Sequence, residues 1–488
     1  MFASACRLRR FSPSHSLSRF YTHHKLFSSS ASKSSSATSC DVHLVHSPFP
    51  DVDLSSGSPL PEFVVSDWVK PNGLMQDKVA IVDGSTGETR TFQEYHHDMG
   101  AIAANLTYEL GVTERSTVAL FTPNHVDYIP ISLGAALCGC KLTPLNPQCK
   151  ANELTTILNN SRSDVLISHW SILDVALEAM KQAKHVKHIV IIPEHEDDPI
   201  PEGTVSLYSL KNHNKPLHIT CRSIHKDLSS HPCVLPYSSG TTGMPKGVCL
   251  SHNNIVANLQ QIYEFESPCF PSDHKLISPL PFFHIYGFLA SILYPAWRGQ
   301  QVITMSGRFD LEIFCQLVEK HQPQRAHLVP PILNGLAKSP VVDKYDLTSI
   351  NMILSAAAPM GKETEDAVKD RISCGVKQAW GMSELSPLGT ISLDLNTRSG
   401  SVGQLVPNTI GKVVDPETNK SLPENQSGEL MIKGPQVMMG YLNAPEKTAE
   451  CLDSNGWLKT GDLMYYDEDG FFFITDRLKE LIKVRGYQ

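Results

Sequence analysis

The sequence has 488 residues, 41% of them hydrophobic and 19% charged, enough to bury a large core, which excludes a disordered, fibrous or small disulfide-stapled protein. Its 42 Lys and Arg against 50 Asp and Glu give a formal charge of -8, but the first forty residues hold Arg7, Arg9, Arg10, Arg19, Lys25 and Lys33 and no acid. The rest, with 36 basic against 50 acidic residues, carries -14, which leaves no general electrostatic reason to bind nucleic acid or anionic lipid.

Residues 1–40 also contain 13 Ser. Arginine, serine and missing acids together read as a transit peptide to the mitochondrion, with a plastid as the alternative and an ordinary disordered tail as the bland one. A Pro- and Ser-rich linker over 41–60 follows. Residues 80–83 read as a strand, and Thr91 with Glu94 three positions on is a capping box. It opens a helix whose face carries Phe92, Tyr95, Met99, Ile102, Ala103, Leu106 and Leu110 until Gly111, so that face packs on a sheet. Strands are expected over 116–121, 141–144 and 165–168, and helices over 128–138 and 151–160. Such alternation argues for a mostly parallel sheet covered on both faces, and it resumes from about 255 to 391. Residues 401–473 instead show short strands between Gly, Pro and Asn turns, as in a small distorted barrel.

The longest apolar run, residues 288–297, falls short of the roughly 20 residues of a membrane span. The twelve cysteines include no Cys-x-x-Cys pair and suit free thiols in a reducing compartment. No metal site built from protein ligands alone is expected, because neither His185 with His188 nor His96 with His97 has a matching carboxylate cluster.

The sharpest motif is Tyr237-Ser-Ser-Gly-Thr-Thr-Gly-Met-Pro-Lys-Gly247. Glycines let backbone N–H groups approach phosphate oxygens, the hydroxyls donate further bonds, and Lys246 adds a charge. A Walker loop is excluded, since Lys246 is followed by Gly247 and an apolar strand over 248–250 rather than by Ser or Thr and a helix. A hydrolase fails as well, because Gly381-Met-Ser-Glu-Leu385 lacks the second glycine of a nucleophile elbow.

Six further motifs follow, largely in order: Pro281-Phe-Phe-His-Ile-Tyr-Gly287, Ala379-Trp-Gly-Met-Ser-Glu384, Gly428-Glu-Leu, Gly440-Tyr-Leu-Asn443, Gly456-Trp-Leu-Lys-Thr-Gly-Asp462 and Asp476-Arg-Leu-Lys-Glu-Leu-Ile-Lys-Val-Arg-Gly-Tyr-Gln488. With them, the chain from about residue 61 to 488 resembles the adenylate-forming superfamily of acyl-CoA synthetases, luciferases and peptide-synthetase adenylation domains. Within it, the chain is most similar to plant 4-coumarate:CoA ligases and their relatives. The resemblance implies an α/β fold of two helix-flanked sheets plus a small distorted β-barrel, with an AMP-binding domain over 61–475, its barrel-like part over 401–475, and a hinge region over 476–488.

It also implies an ATP-dependent carboxylic acid:CoA ligase. A carboxylate attacks the α-phosphorus of ATP to give an acyl-adenylate and pyrophosphate, and the thiol of coenzyme A then displaces AMP. Two anions must meet, so catalysis is chiefly positioning and charge neutralisation. By the resemblance, Ser238, Ser239, Gly240, Thr241, Thr242, Gly243 and Lys246 hold phosphates, and Glu384 binds Mg2+, as one carboxylate beside nucleotide phosphates commonly does. Asp462 accepts both ribose hydroxyls, with Arg477 beside it, while Gln378, Ala379, Ser383, Lys483 and Gln488 complete the nucleotide site. Thr242, Glu384 and Lys479 are the catalytic candidates. His284 and Tyr286 close over the acid, whose pocket is walled by Ala356, Ala357 and Ala358; Arg308, Arg485 and Gly486 serve coenzyme A.

Two departures from the pattern matter. Trp380 stands where the family usually has a tyrosine against adenine, keeping the aromatic face but losing the hydroxyl. Coumarate ligases commonly carry glycines where Ala356 and Ala357 stand, and two extra methyls narrow or reshape a slot that must take a flat ring, so a hydroxycinnamate, a benzoate and a medium-chain acid all remain open. In the family, a C-terminal domain of roughly a hundred residues follows the hinge near Lys479; here the sequence reaches Gln488. The expectation is a chain lacking that domain, with a binding protein that holds ATP and acid without turnover as the alternative to an active ligase.

Overall fold

Side chains alternate between the faces of a strand, and in this chain both faces of the parallel strands are apolar, so each parallel sheet needs cover on two sides. The computed structural model describes residues 43–478 except 56, 67, 69–76, 213–226 and 239–244. The leader over 1–40 lies outside the described residues, as do Ser239, Gly240, Thr241, Thr242, Gly243, Lys479, Lys483, Arg485, Gly486 and Gln488.

Among the described residues, one sheet runs Tyr237–Ser238, Lys246–Ser251, Pro232–Val234, Lys141–Leu145, Thr117–Phe121, Val165–His169, His188–Ile192, Val205–Ser206, with Gly440–Tyr441 added beside Lys246–Ser251. It is parallel from Pro232–Val234 onward. A second sheet runs Gln404–Leu405, Leu388–Ile391, Gly375–Gly381, Met352–Ser355, Arg325–Leu328, Lys275–Ile277, Gln301–Thr304, Val79–Asp83, Thr89–Thr91. Its middle is parallel and both ends are antiparallel.

The alternation sorts the core. Val118 and Leu120 join a central cluster with the helices Phe92–Tyr108, Tyr128–Leu137 and His252–Glu266, while Ala119 and Phe121 face a second cluster under Ala151–Ser161. In the other sheet Leu354 faces the central cluster, and Ile353 faces a third under Leu311–His321 and Lys362–Ile372. The capping box forms as expected: Glu94 N–H donates to Thr91 Oγ1 at 3.2 Å and Thr91 N–H donates to Glu94 Oε2 at 2.7 Å.

The distorted barrel expected over 401–475 is a half barrel, an antiparallel sheet in the order Val45–His46, Ile410–Val414, Gly428–Lys433, Leu458–Tyr466, Phe472–Arg477. Its first strand corrects the reading of 41–60 as a linker. Val45 pairs with Gly411, Ser47 N–H donates to the Thr409 carbonyl at 3.1 Å, and Val52 N–H donates to Asn408 Oδ1 at 2.9 Å. Two residues of backbone pairing leave no side-chain period to read.

Four buried charges tie the second sheet to the central helices. Arg325 reaches Glu266 at 2.9 Å and Asp394 at 2.8 Å, and Lys377 reaches the same two acids at 2.5 and 2.7 Å. Each side chain is less than a tenth exposed. Burial pushes the Asp394 carboxyl up, but Lys377 and Arg325 together hold it below the usual range. Its contribution to stability is therefore present above the ordinary carboxylate pKa of about 4 and is lost as pH falls through the depressed native value. Removing one cation leaves two carboxylates against one charge in a dry site. Lys377→Met is expected to cost about 3–5 kcal/mol in urea unfolding at neutral pH; a loss below about 1 kcal/mol would show the ring to be solvated.

Candidate active site

The strand Gly375–Gly381 sends Val376 and Gln378 to one face and Lys377 and Ala379 to the other. The second face looks onto a cavity of about 710 Å³. Trp380, Ser383 and Glu384 line it from the end of that strand and the turn after it, and Asp462 and Arg477 line it from the half barrel. Ser238 and Lys246 enter from the first sheet; His284, Tyr286, Ala356 and Ala357 enter from the segments that face it.

Antiparallel pairing puts Asp462 directly opposite Arg477. Arg477 Nε lies 2.5 Å from Asp462 Oδ1, and the Trp380 indole N–H donates to Oδ2 at 2.7 Å. The carboxylate is 2% exposed and held on both oxygens; Oδ2 also accepts from Arg477 Nη2 at 3.4 Å, which leaves Oδ1 a lone pair for a further donor. Trp380 thus replaces the missing hydroxyl with another polar handle. Room for its ring depends on Gly389, where an added Cβ would lie 2.6 Å from an indole carbon.

Glu384 is buried on the short helical turn Ser383–Leu385, and its Oε1 accepts a hydrogen bond from Tyr441 Oη at 2.7 Å. Burial raises its pKa, against the Tyr441 bond and the charges of Lys246 and Arg477. Lys246 Nζ stands 4.9 Å from the centre of the Tyr441 ring, so tyrosine, lysine and glutamate form one contact. Tyr237–Ser238 pairs antiparallel with the start of Lys246–Ser251, Tyr237 opposite Gly247 and Ser238 opposite Lys246.

Several expected site residues sit elsewhere. The Gln378 side chain donates to Glu365 Oε2 at 3.1 Å on the opposite face of its strand, so it does not line the cavity; strand alternation sends it away. Ala358 is half-buried outside the lining, because the chain turns at Ala357 in a left-handed conformation, φ 73°. Ala356 and Ala357 supply the wall instead. Arg308 is exposed beyond the strand Gln301–Thr304 and does not reach the cavity. The lining also includes Glu266, Tyr294, His327 and Tyr441, to which the sequence reading assigned no role. Alternating polar residues Arg325 and His327 in a buried strand were the available signal.

Comparison with known proteins agrees with this fold. The sequence pattern of the family described as AMP-binding enzyme matches residues 70–442. A 4-coumarate-CoA ligase of Pinus taeda is 35% identical over 454 residues, which cover 91% of this chain and 81% of the relative. 4-Coumarate-CoA ligase 1 of Arabidopsis thaliana is 36% identical over 465 residues, covering 93% and 81%. Among solved structures, ATP-bound MatB from Rhodopseudomonas palustris matches with a TM-score of 0.73 at 25% identity, over 88% of this chain and 80% of that one.

The indole donor is expected to matter to the nucleotide. Trp380→Phe keeps an aromatic ring but removes the shorter of the two hydrogen bonds to Asp462 Oδ2, and ATP affinity measured by calorimetry is expected to fall about tenfold, near 1.4 kcal/mol. An unchanged affinity would mean that Arg477 alone positions the carboxylate.

Proposed function

The chain belongs to the AMP-binding enzyme family, and on that premise we propose that it is an ATP-dependent carboxylic acid:CoA ligase acting on an aromatic acid, hydroxycinnamate- or benzoate-like, or on a medium-chain acid. The observation that carries this reading is a single cavity lined on one side by Ser238, Lys246, Glu384, Asp462 and Arg477 and on the other by His284, Tyr286, Ala356 and Ala357. Charged and hydroxyl groups suit a nucleotide; aromatic and methyl groups suit the body of an acid.

In this reading Asp462 and Arg477 take the ribose, and Ser238 and Lys246 act with residues 239–244 on the phosphates. The acid's carboxylate oxygen forms a bond to the α-phosphorus as pyrophosphate leaves. The coenzyme A thiol then bonds the acyl carbon as AMP leaves. Lys246 supplies positive charge where phosphate charge shifts, and burial strengthens that effect. Mg2+ would be held by Glu384, whose carboxylate already sits within the charged wall; the ion would neutralise phosphate charge there. Arg308, outside the cavity, suits coenzyme A, whose phosphates stay near the surface, together with Arg485 and Gly486. The basic, serine-rich leader supports import into a mitochondrion, or alternatively a plastid.

Acid-dependent exchange of labelled pyrophosphate into ATP tests the first half-reaction. Exchange with at least one aromatic or medium-chain acid is expected; ATP binding without exchange for any acid would support a binding protein instead. Glu384→Gln is expected to lower exchange about a hundredfold. Because burial raises the Glu384 pKa, ionising it grows harder as pH falls, so Mg2+-dependent ATP binding should weaken from neutral toward about pH 5. In Glu384→Gln that pH dependence should vanish, and a slope surviving the substitution would assign the metal to another group.

A further inference from the structure

Part of the cavity wall is fully enclosed and polar. Tyr294 is 1% exposed and His327 3%, and both line the cavity together with Glu266 and Tyr286. Tyr286 has spent its hydroxyl, which donates to the Leu354 carbonyl at 3.2 Å. Tyr294 Oη has no hydrogen-bond partner among the described residues, nor has His327 Nε2. The other imidazole nitrogen, Nδ1, is 3.2 Å from Ser291 Oγ, which orients the ring and leaves Nε2 to a neighbour not in the chain. Two buried polar atoms without partners, on residues that line the same cavity, are costly unless a ligand or water meets them.

The surroundings say what kind of group that is. Glu266, the acid at this wall, is already matched by Arg325 and Lys377, and with Asp394 the ring carries two charges of each sign. A second full charge brought here by a ligand would find no free counter-ion among these groups and would lose its hydration. His327 does not supply one: burial, then the nearby Arg325 and Lys377 charges, hold it neutral far below the usual histidine range. A neutral imidazole nitrogen donates or accepts according to its tautomer, and a phenol does both. The near-parallel stacking of the Tyr286 and His327 rings, 6.0 Å apart at 23°, continues the flat apolar wall up to these atoms.

We infer that Tyr294 and His327 form a neutral hydrogen-bonding subsite for the far end of the acid, whose substrate class is thus an acid bearing an uncharged hydroxyl or carbonyl opposite its carboxylate. The inference rests on the reading of the cavity as an acid site and goes beyond it by separating acids of equal size. An apolar acid leaves both atoms unpaired, and a diacid buries an unmatched charge.

Matched pairs test it with the full chain: octanoate against 8-hydroxyoctanoate and octanedioate, and 3-phenylpropanoate against 3-(4-hydroxyphenyl)propanoate. In pyrophosphate exchange, kcat/KM is expected to be at least tenfold higher for the hydroxylated member of one pair than for its apolar partner, and lowest for the diacid. Tyr294→Phe, which deletes only the hydroxyl, is expected to reduce that preference at least fivefold, with an unaltered Tm showing that the fold is intact. A preference below twofold in both pairs overturns the subsite, as does a preference that survives both Tyr294→Phe and His327→Phe. If no acid supports exchange, the ligase reading fails, and calorimetric binding of the corresponding acyl-sulfamoyladenosines still decides the subsite. Equal affinities would mean that a buried water already satisfies the two atoms.

Discussion

The closed ring of Glu266, Arg325, Lys377 and Asp394 is the interaction on which the placement of the site depends. It joins the end of a central helix to two strands of the second sheet, which flank Met352–Ser355 on either side, and to the segment after a third strand. Charges in a dry interior tolerate little displacement, because breaking any one pair strands a partner away from water. The strand that bears Lys377 runs on through Ala379 and Trp380 to the turn of Glu384. Its register is therefore held a few residues before it delivers Trp380 and Glu384 to the cavity wall.

The cavity then divides by chemistry. Toward Glu384 and Asp462 it is charged and held by hydrogen bonds between elements far apart in sequence, such as Trp380 to Asp462 and Tyr441 to Glu384. Toward Tyr286 it is aromatic and closed. Such a division suits a reaction that must desolvate two anions while gripping an apolar body. It also explains why the half barrel is part of the site, since Asp462 and Arg477 face each other across two of its strands.

Much of the fold was legible because it is local. The capping box at Thr91, the apolar face of the following helix and the alternating strands are all written at spacings of two to four residues. The edge strand Val45–His46 was not legible: its partner, Ile410–Val414, lies more than 360 positions away, and the pairing is made by backbone alone. Trp380 read as an adenine platform that had lost a hydroxyl. That it donates to Asp462 depends on the half barrel folding back over the strand end, which no local period records. Gln378 and Ala358 fail for a related reason. A motif identifies a stretch of chain, whereas strand alternation and one left-handed residue at Ala357 decide which of its side chains face inward.

By itself the sequence determined the class of protein, the order of its elements and the stretch of chain in which each reactive group resides, because hydrophobic period, capping and turn chemistry are short-range. It also carried the resemblance that pointed to adenylate chemistry. Only the tertiary structure decided which groups meet: that Arg325 and Lys377 are neutralised rather than free, that Asp462 is already held on both oxygens, and that Tyr294 Oη and His327 Nε2, on residues lining one cavity, find no hydrogen-bond partner among the described residues. Those facts follow from pairs separated by tens to hundreds of residues, where burial removes the screening of water and makes each polar contact consequential.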